Sequence, residues 1–181
     1  MVSAIRIYFE GDARLRPGFH SFLSSIVEMA RTHKISINLI ACESTPIEDF
    51  MKAIEAHPDA SNFLLIDTEG PDDGKLLINI KAHDHWNPPN GMVVSDNQIH
   101  FMTQIMESWF LSDKEALDKF YGKDFRTNKL PDNPEVEKVS KEDVLNTLKA
   151  ATRERKKGAY HKTRHAPELL RACFKTQLNS V

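Results

Sequence analysis

The chain has 181 residues, 40% of them apolar and 28% charged, and a formal net charge of −2. That length fits one domain, residues 1–181, able to bury a continuous core. The 7 glycines and 9 prolines exclude collagen-like and low-complexity classes, and no apolar run approaches the ~18–20 residues that span a bilayer. Two isolated cysteines, Cys42 and Cys173, rule out a disulfide framework or a zinc knuckle. With no apolar h-region behind Met1, the expectation is a soluble cytoplasmic protein with no membrane association.

The first third alternates strand and helix patterns. Ala4 to Phe9 is β-branched and aromatic and ends at Glu10-Gly11-Asp12. Pro17 opens an expected helix to about His33, with Phe19, Phe22, Leu23, Ile26, Val27 and Ala30 at three- and four-residue spacing. Ile35 to Ala41 is a second strand. Thr45, Pro46 and Glu48 form a capping-box pattern for a helix to about His57. Asn62 to Ile66 reads as a buried central strand ending at Asp67. Short connections between these elements imply an α/β fold with a mainly parallel sheet flanked by helices.

Gly70 to Gly91 reads as an irregular insertion around the apolar run Leu76 to Ile80. Alternation at Ile99, Phe101, Thr103 and Ile105 predicts a strand to about Met106, turning into helix near Glu107. Ser112 with Glu115 predicts a capped helix from Asp113 to about Tyr121, and Ser140 with Asp143 another to about Arg155. Pro167 sits near the start of a last expected helix that reaches about Leu178. The α/β core is thus assigned to residues 1–113 and a helical C-terminal extension to 114–181.

Charge is uneven along the chain. Glu43 to Asp73 holds nine acids and one base, whereas Lys149 to His165 holds seven Lys/Arg and one acid. Such asymmetry either marks an acidic metal site beside a polyanion-binding surface or reflects solvated faces of opposite sign. In a doubly wound sheet, strands one and three are commonly neighbours and ligands bind beyond their carboxyl ends. Glu10 ends strand one, and Asp67 and Glu69 follow strand three, so their carboxylates can converge on one hard divalent cation at Mg–O distances of ~2.1 Å. Acids that merely follow strands in loops are the alternative. Asp12 is near enough to contribute, and Glu107 or Asp113 can face the same site; Asp113 can equally stabilise the start of the next helix. His83-Asp84-His85-Trp86 lacks the further ligands a zinc site needs. The segment Lys156-Lys157-Gly158-Ala159-Tyr160-His161-Lys162-Thr163-Arg164-His165 has the chemistry to hold phosphates beside a metal, or it is a solvated loop.

These residues carry a resemblance. Phe9-Glu10-Gly11-Asp12 resembles the Glu-Gly motif of Toprim domains, and Asp67-Thr68-Glu69-Gly70 resembles their Asp-x-Asp motif. Met106-Glu107-Ser108-Trp109-Phe110-Leu111-Ser112-Asp113 and Tyr160-His161-Lys162-Thr163-Arg164-His165 resemble a Toprim-like bacterial family of unknown function. That family is related to the nuclease half of OLD proteins and is found beside ABC/AAA-type ATPases in anti-phage defence systems of the PARIS type. The resemblance runs from Ile5 to about Leu170. It implies a Toprim-like (Rossmann-like) fold and a Mg²⁺- or Mn²⁺-dependent nuclease acting on DNA or RNA, with an ATPase partner. Glu10, Asp67 and Glu69 would be its metal-binding carboxylates, with Glu10 also an acid/base. Glu69 departs from the family pattern, which carries a second Asp there.

In that scheme Lys162 is a catalytic cation at the scissile phosphate, with His161, Arg164, Lys156 and Lys157 binding substrate phosphates. The net charge of −2 argues against tight unaided binding to nucleic acid, so a partner or oligomer would supply substrate or scaffold. Two other schemes use the same residues. Asp67 can be the phosphoacceptor of a receiver-like domain, or the chain can be a non-catalytic regulatory subunit whose basic segment grips a partner.

Overall fold

The computed structural model describes residues 4–123, 125–153 and 157–173. Strand β1 (Ala4–Glu10) is followed by helices α1 (Arg16–Phe22) and α2 (Ser24–Thr32), strand β2 (Ser36–Cys42), helix α3 (Pro46–Ala56) and strand β3 (Ser61–Asp67). Helix α4 (Leu76–Lys81) precedes strand β4 (Ile99–Met102), and α5 (Lys114–Tyr121), α6 (Lys141–Thr152) and α7 (Lys162–Cys173) complete the described chain. The sheet order is β2-β1-β3-β4 and every pairing is parallel, which confirms the α/β reading and places β1 beside β3. No helix among the described residues is long and apolar enough to cross a membrane.

Side chains alternate across the sheet, as the two-residue period of a strand requires. Tyr8, Leu64 and Ile66 join Phe50 of α3 in one core, and Phe9, Leu39 and Met102 join Phe19, Phe110, Leu148 and Leu169 in the other. The second core draws on residues from both sides of position 113, so α5, α6 and α7 are integral to the α/β layer rather than an appended unit.

Several local expectations are corrected. The helix expected from Pro17 to His33 breaks at Leu23, and only Ala30 of α2 is buried. Apolar spacing persists past the bend, but Ile26 and Met29 point outward. Thr45 makes no side-chain cap, although Pro46 does begin α3. The cap of α5 is Asp113, whose carboxylate accepts the Ala116 N–H, and not Ser112, whose hydroxyl donates to the Trp109 carbonyl. Ser140 caps α6 as expected. The apolar run after Gly70 forms α4.

Strand β4 ends at Met102, four residues short of the expected end at Met106. The turn is held at Gln104, which has φ +63°, by hydrogen bonds that tie it to Thr68 and Glu69 beyond β3. The chain then enters a 3₁₀ segment, Met106–Ser112, that carries Glu107 into the interior.

Helix α7 begins five residues before Pro167, which lies inside it. Proline removes one backbone donor there, but Ala166, Leu169 and Leu170 are fully buried and outweigh the loss. This part of α7 crosses α1 at Gly18. A Cβ at Gly18 would stand 2.7 Å from the Pro167 carbonyl oxygen and 2.9 Å from Leu170 Cβ. The crossing needs a residue without a side chain. Gly18→Ala should therefore cost about 1–3 kcal/mol, lowering Tm by roughly 3–10 °C in a thermal melt.

Candidate metal centre and its two clefts

The carboxyl ends of β1 and β3 bring Glu10 and Asp67 together. Glu10 Oε2 accepts the Asp67 backbone N–H at 3.1 Å, fixing the two strand ends to each other. The chain leaves Glu10 through Gly11, whose φ of +141° disfavours a side chain and whose Cβ would meet Leu15 Cδ1 at 2.7 Å. Asp67 is 7% exposed, and its Oδ1 accepts the Met106 N–H at 2.9 Å. Glu69, held at φ +60°, donates its N–H to the Gln104 carbonyl at 2.9 Å. One carboxylate oxygen from each of Glu10, Asp67 and Glu69 lies within 4.8 Å of the other two.

Lys162, the first residue of α7, stands against this group. Its Nζ lies 3.6 Å from Asp67 Oδ2 and 3.7 Å from Oε2 of the buried Glu107. Glu107 Oε1 accepts the Tyr160 hydroxyl at 3.0 Å, whereas Oε2 has no hydrogen-bond partner. Tyr160 is pinned at its other end, where its N–H donates to Thr152 Oγ1 at 2.7 Å.

Burial pushes the Asp67 carboxyl up to about 7; Lys162 opposes the shift and Glu10 and Glu107 add to it. Burial also raises Glu10, offset by the Asp67 N–H and reinforced by Glu69. For Lys162, burial acts to lower the pKa, but Glu107, Asp67 and Glu10 together outweigh it and keep the ammonium charged. Burial, with Glu107 next, holds the Tyr160 phenol protonated, so it can donate to that carboxylate.

Two clefts of about 370 Å³ each open on either side, and Asp67 and Glu69 line both. One is walled by Glu10, the start of α3 and the imidazoles of His83 and His85. The other runs between α6 and the start of α7, with Lys141, Lys149, His161 and Lys162 in its wall. Lys141 forms an ion pair with Glu69.

The structure thus brings together Glu10, Asp67, Glu69, Glu107 and Lys162, with His161 at the cleft wall. Asp12 turns away: its carboxylate caps the 3₁₀ turn Ala13–Leu15 and pairs with Arg14, whose hydrogen bonds lower it to about 2. Asp113 is the cap of α5. Lys157 sits 3.4 Å over the Phe120 ring and 4.0 Å from Glu168, and Arg164 is exposed and lines neither cleft. Lys156 lies outside the described residues. His165 is structural: its Nδ1 accepts the His161 N–H, its Nε2 bonds the Lys157 carbonyl, and burial lowers its pKa. Cys42 is buried, and that burial pushes its thiol up to about 12, which suits a core residue.

The sequence pattern does not single out Lys141, and it gives Lys149 only as the edge of the basic stretch. Both look like ordinary surface lysines of a capped helix, and the packing of α6 against the 3₁₀ segment Met106–Ser112 brings them to the wall of the cleft.

The donor set suits a hard divalent cation: three convergent carboxylates, no sulfur, and buried negative charge that Lys162 alone does not balance. The sign of the pH dependence follows. Asp67 holds its proton to about 7 in the folded chain and releases it near 3.8 when unfolded. Between those values the folded state binds more protons, so stability without cation falls as the pH rises through that window. Asp67→Asn keeps the acceptor for Met106 and removes the buried charge. At pH 8 it should raise cation-free stability by roughly 1–3 kcal/mol and abolish stabilisation by Mn²⁺, both read from denaturant melts with and without metal.

No curated protein and no solved structure matches the chain. A family model described as "Domain of unknown function (DUF4276)" matches residues 12–175. That match spans most of the sequence, and the chain belongs to the DUF4276 family.

Proposed function

We propose that the chain is a Mg²⁺- or Mn²⁺-dependent phosphodiesterase acting on nucleic acid. One observation carries the reading: Glu10, Asp67 and Glu69 converge at the carboxyl edge of a parallel sheet, at the junction where β1 and β3 are neighbours, with a buried-side lysine against them. The resemblance of the Glu10-Gly11 and Asp67-Thr68-Glu69 segments to Toprim motifs supports the same chemistry.

Glu10, Asp67 and Glu69 would hold the cation, which supplies Lewis-acid polarisation of a phosphoryl oxygen and makes water nucleophilic near neutral pH. Lys162 is held charged beside Asp67, where its ammonium can meet negative charge developing on the phosphate. Glu107 and Tyr160 fix that lysine from behind. Glu10 is also the candidate acid/base at the attacking or leaving oxygen. The two clefts give the chain a path on either side of the scissile bond.

The ATPase partner and the role in anti-phage defence, like a cytoplasmic location, rest on the resemblance. A net charge of −2 agrees with substrate delivered by a partner rather than captured from solution. Labelled tRNA, single-stranded RNA and duplex DNA incubated with Mg²⁺ or Mn²⁺, with and without a co-encoded ATPase, test the reading. Wild type should cleave one class only with cation, and Glu10→Ala should lose roughly 100-fold or more of the rate. Folded wild-type protein that cleaves nothing, with its partner present, would sink the catalytic reading in favour of a regulatory subunit.

A further inference from the structure

The cleft between α6 and α7 has a feature that cation binding alone does not need. Lys141, Leu145 and Lys149 follow one another at four-residue spacing and all line it, so one face of α6 presents ammonium, methyl and ammonium groups in a row. Each step advances about 6 Å along the helix axis. Opposite this row stand Lys162 and His161. The first lysine of the row is already engaged, because Lys141 pairs with Glu69, the most exposed of the three convergent carboxylates.

The charges set an order. Glu10, Asp67, Glu69 and Glu107 are four carboxylates, and Lys141, Lys149 and Lys162 are three ammonium groups. Fully ionised, the group is one positive charge short and repels a phosphate. A divalent cation reverses the sign, leaving one positive charge in excess. Bound through Glu69, the cation would compete with Lys141 for that carboxylate.

Resting on the cation site above, we propose that Lys141 is an exchangeable counter-ion and α6 the bed for the substrate strand. Without cation Lys141 neutralises Glu69; with cation bound it is released to a backbone phosphate of a nucleic acid strand lying along α6. Lys149 takes a second phosphate, and Leu145 between them offers an apolar contact to a sugar or base. Substrate binding thereby waits for the metal.

The exchange predicts that one substitution moves two affinities in opposite directions, which a merely structural lysine would not do. Lys141 is the first residue of α6 and its side chain is 41% exposed, so its loss leaves the core intact. Mn²⁺ affinity is measured by calorimetry, and binding of a short fluorescein-labelled single strand by anisotropy in saturating Ca²⁺. Lys141→Met should tighten Mn²⁺ roughly threefold, as expected for removing an exposed competing ion pair, and weaken the oligonucleotide by at least as much. Lys149→Met should weaken the oligonucleotide and leave Mn²⁺ unchanged, and Lys141→Arg should restore both affinities. Wild type that binds Mn²⁺ no more weakly than Lys141→Met overturns the exchange while the cation site stands. Wild type that binds no Mn²⁺ overturns the cation site, and the exchange falls with it.

Discussion

Two carboxylates, Asp67 and Glu107, are buried against one lysine, and the carboxyl edge of the sheet is organised by that imbalance. Nζ of Lys162 lies 3.6 Å and 3.7 Å from their oxygens. Both distances are longer than a normal charged hydrogen bond, so the ammonium is shared between the two anions and satisfies neither fully. One Glu107 oxygen is left with no hydrogen bond. Buried carboxylates pay for desolvation through raised pKa values or recruited positive charge. Asp67 does the first and Lys162 supplies part of the second; on the reading proposed above, a divalent cation would supply the remainder.

That lysine is where it is because α7 is held from the far side of the molecule. The contact of Gly18 with Pro167 and Leu170 fixes the middle of the helix against α1, and its first residue then reaches the end of β3. The segment before α7 is fixed separately. His165 binds the Lys157 carbonyl and the His161 N–H, and Tyr160 spans from Thr152 to Glu107. His165 and Tyr160 in that basic segment are therefore packing and positioning residues. They hold the loop so that Lys162 arrives at a defined place.

This division explains what was legible in the sequence. Strand order and the meeting of Glu10 with Asp67 follow from hydrophobic runs that end in acids, because strand period and parallel connections leave few arrangements. The roles of the basic segment were not legible, because a composition of Lys, Arg and His is the same whether a side chain faces a site, an aromatic ring or solvent. Lys157 went to Phe120, Arg164 to solvent and Lys162 to the carboxylates. Asp12 and Asp113 were ambiguous for a related reason: an acid just before a helical turn serves equally well as a cap or a ligand, and both became caps. The break at Gln104 was hidden because its cause lies in hydrogen bonds to Thr68 and Glu69, 36 and 35 residues earlier in the sequence.

Glu69 draws these threads together. An aspartate at that position would reach one methylene less far. Glu69 stands at φ +60° on a backbone pinned to Gln104, and it lines both clefts. From there a glutamate has the length to meet Lys141 on the α6 side and still lie within reach of Glu10 and Asp67. The strained backbone and the longer side chain are thus two halves of one arrangement, which leaves the third carboxylate the most exposed of the group. Glu10 is tied to the Asp67 N–H and Asp67 to the Met106 N–H, whereas the Glu69 carboxylate pairs with a lysine side chain, so on the proposed reading Glu69 is the ligand left to adjust to a cation.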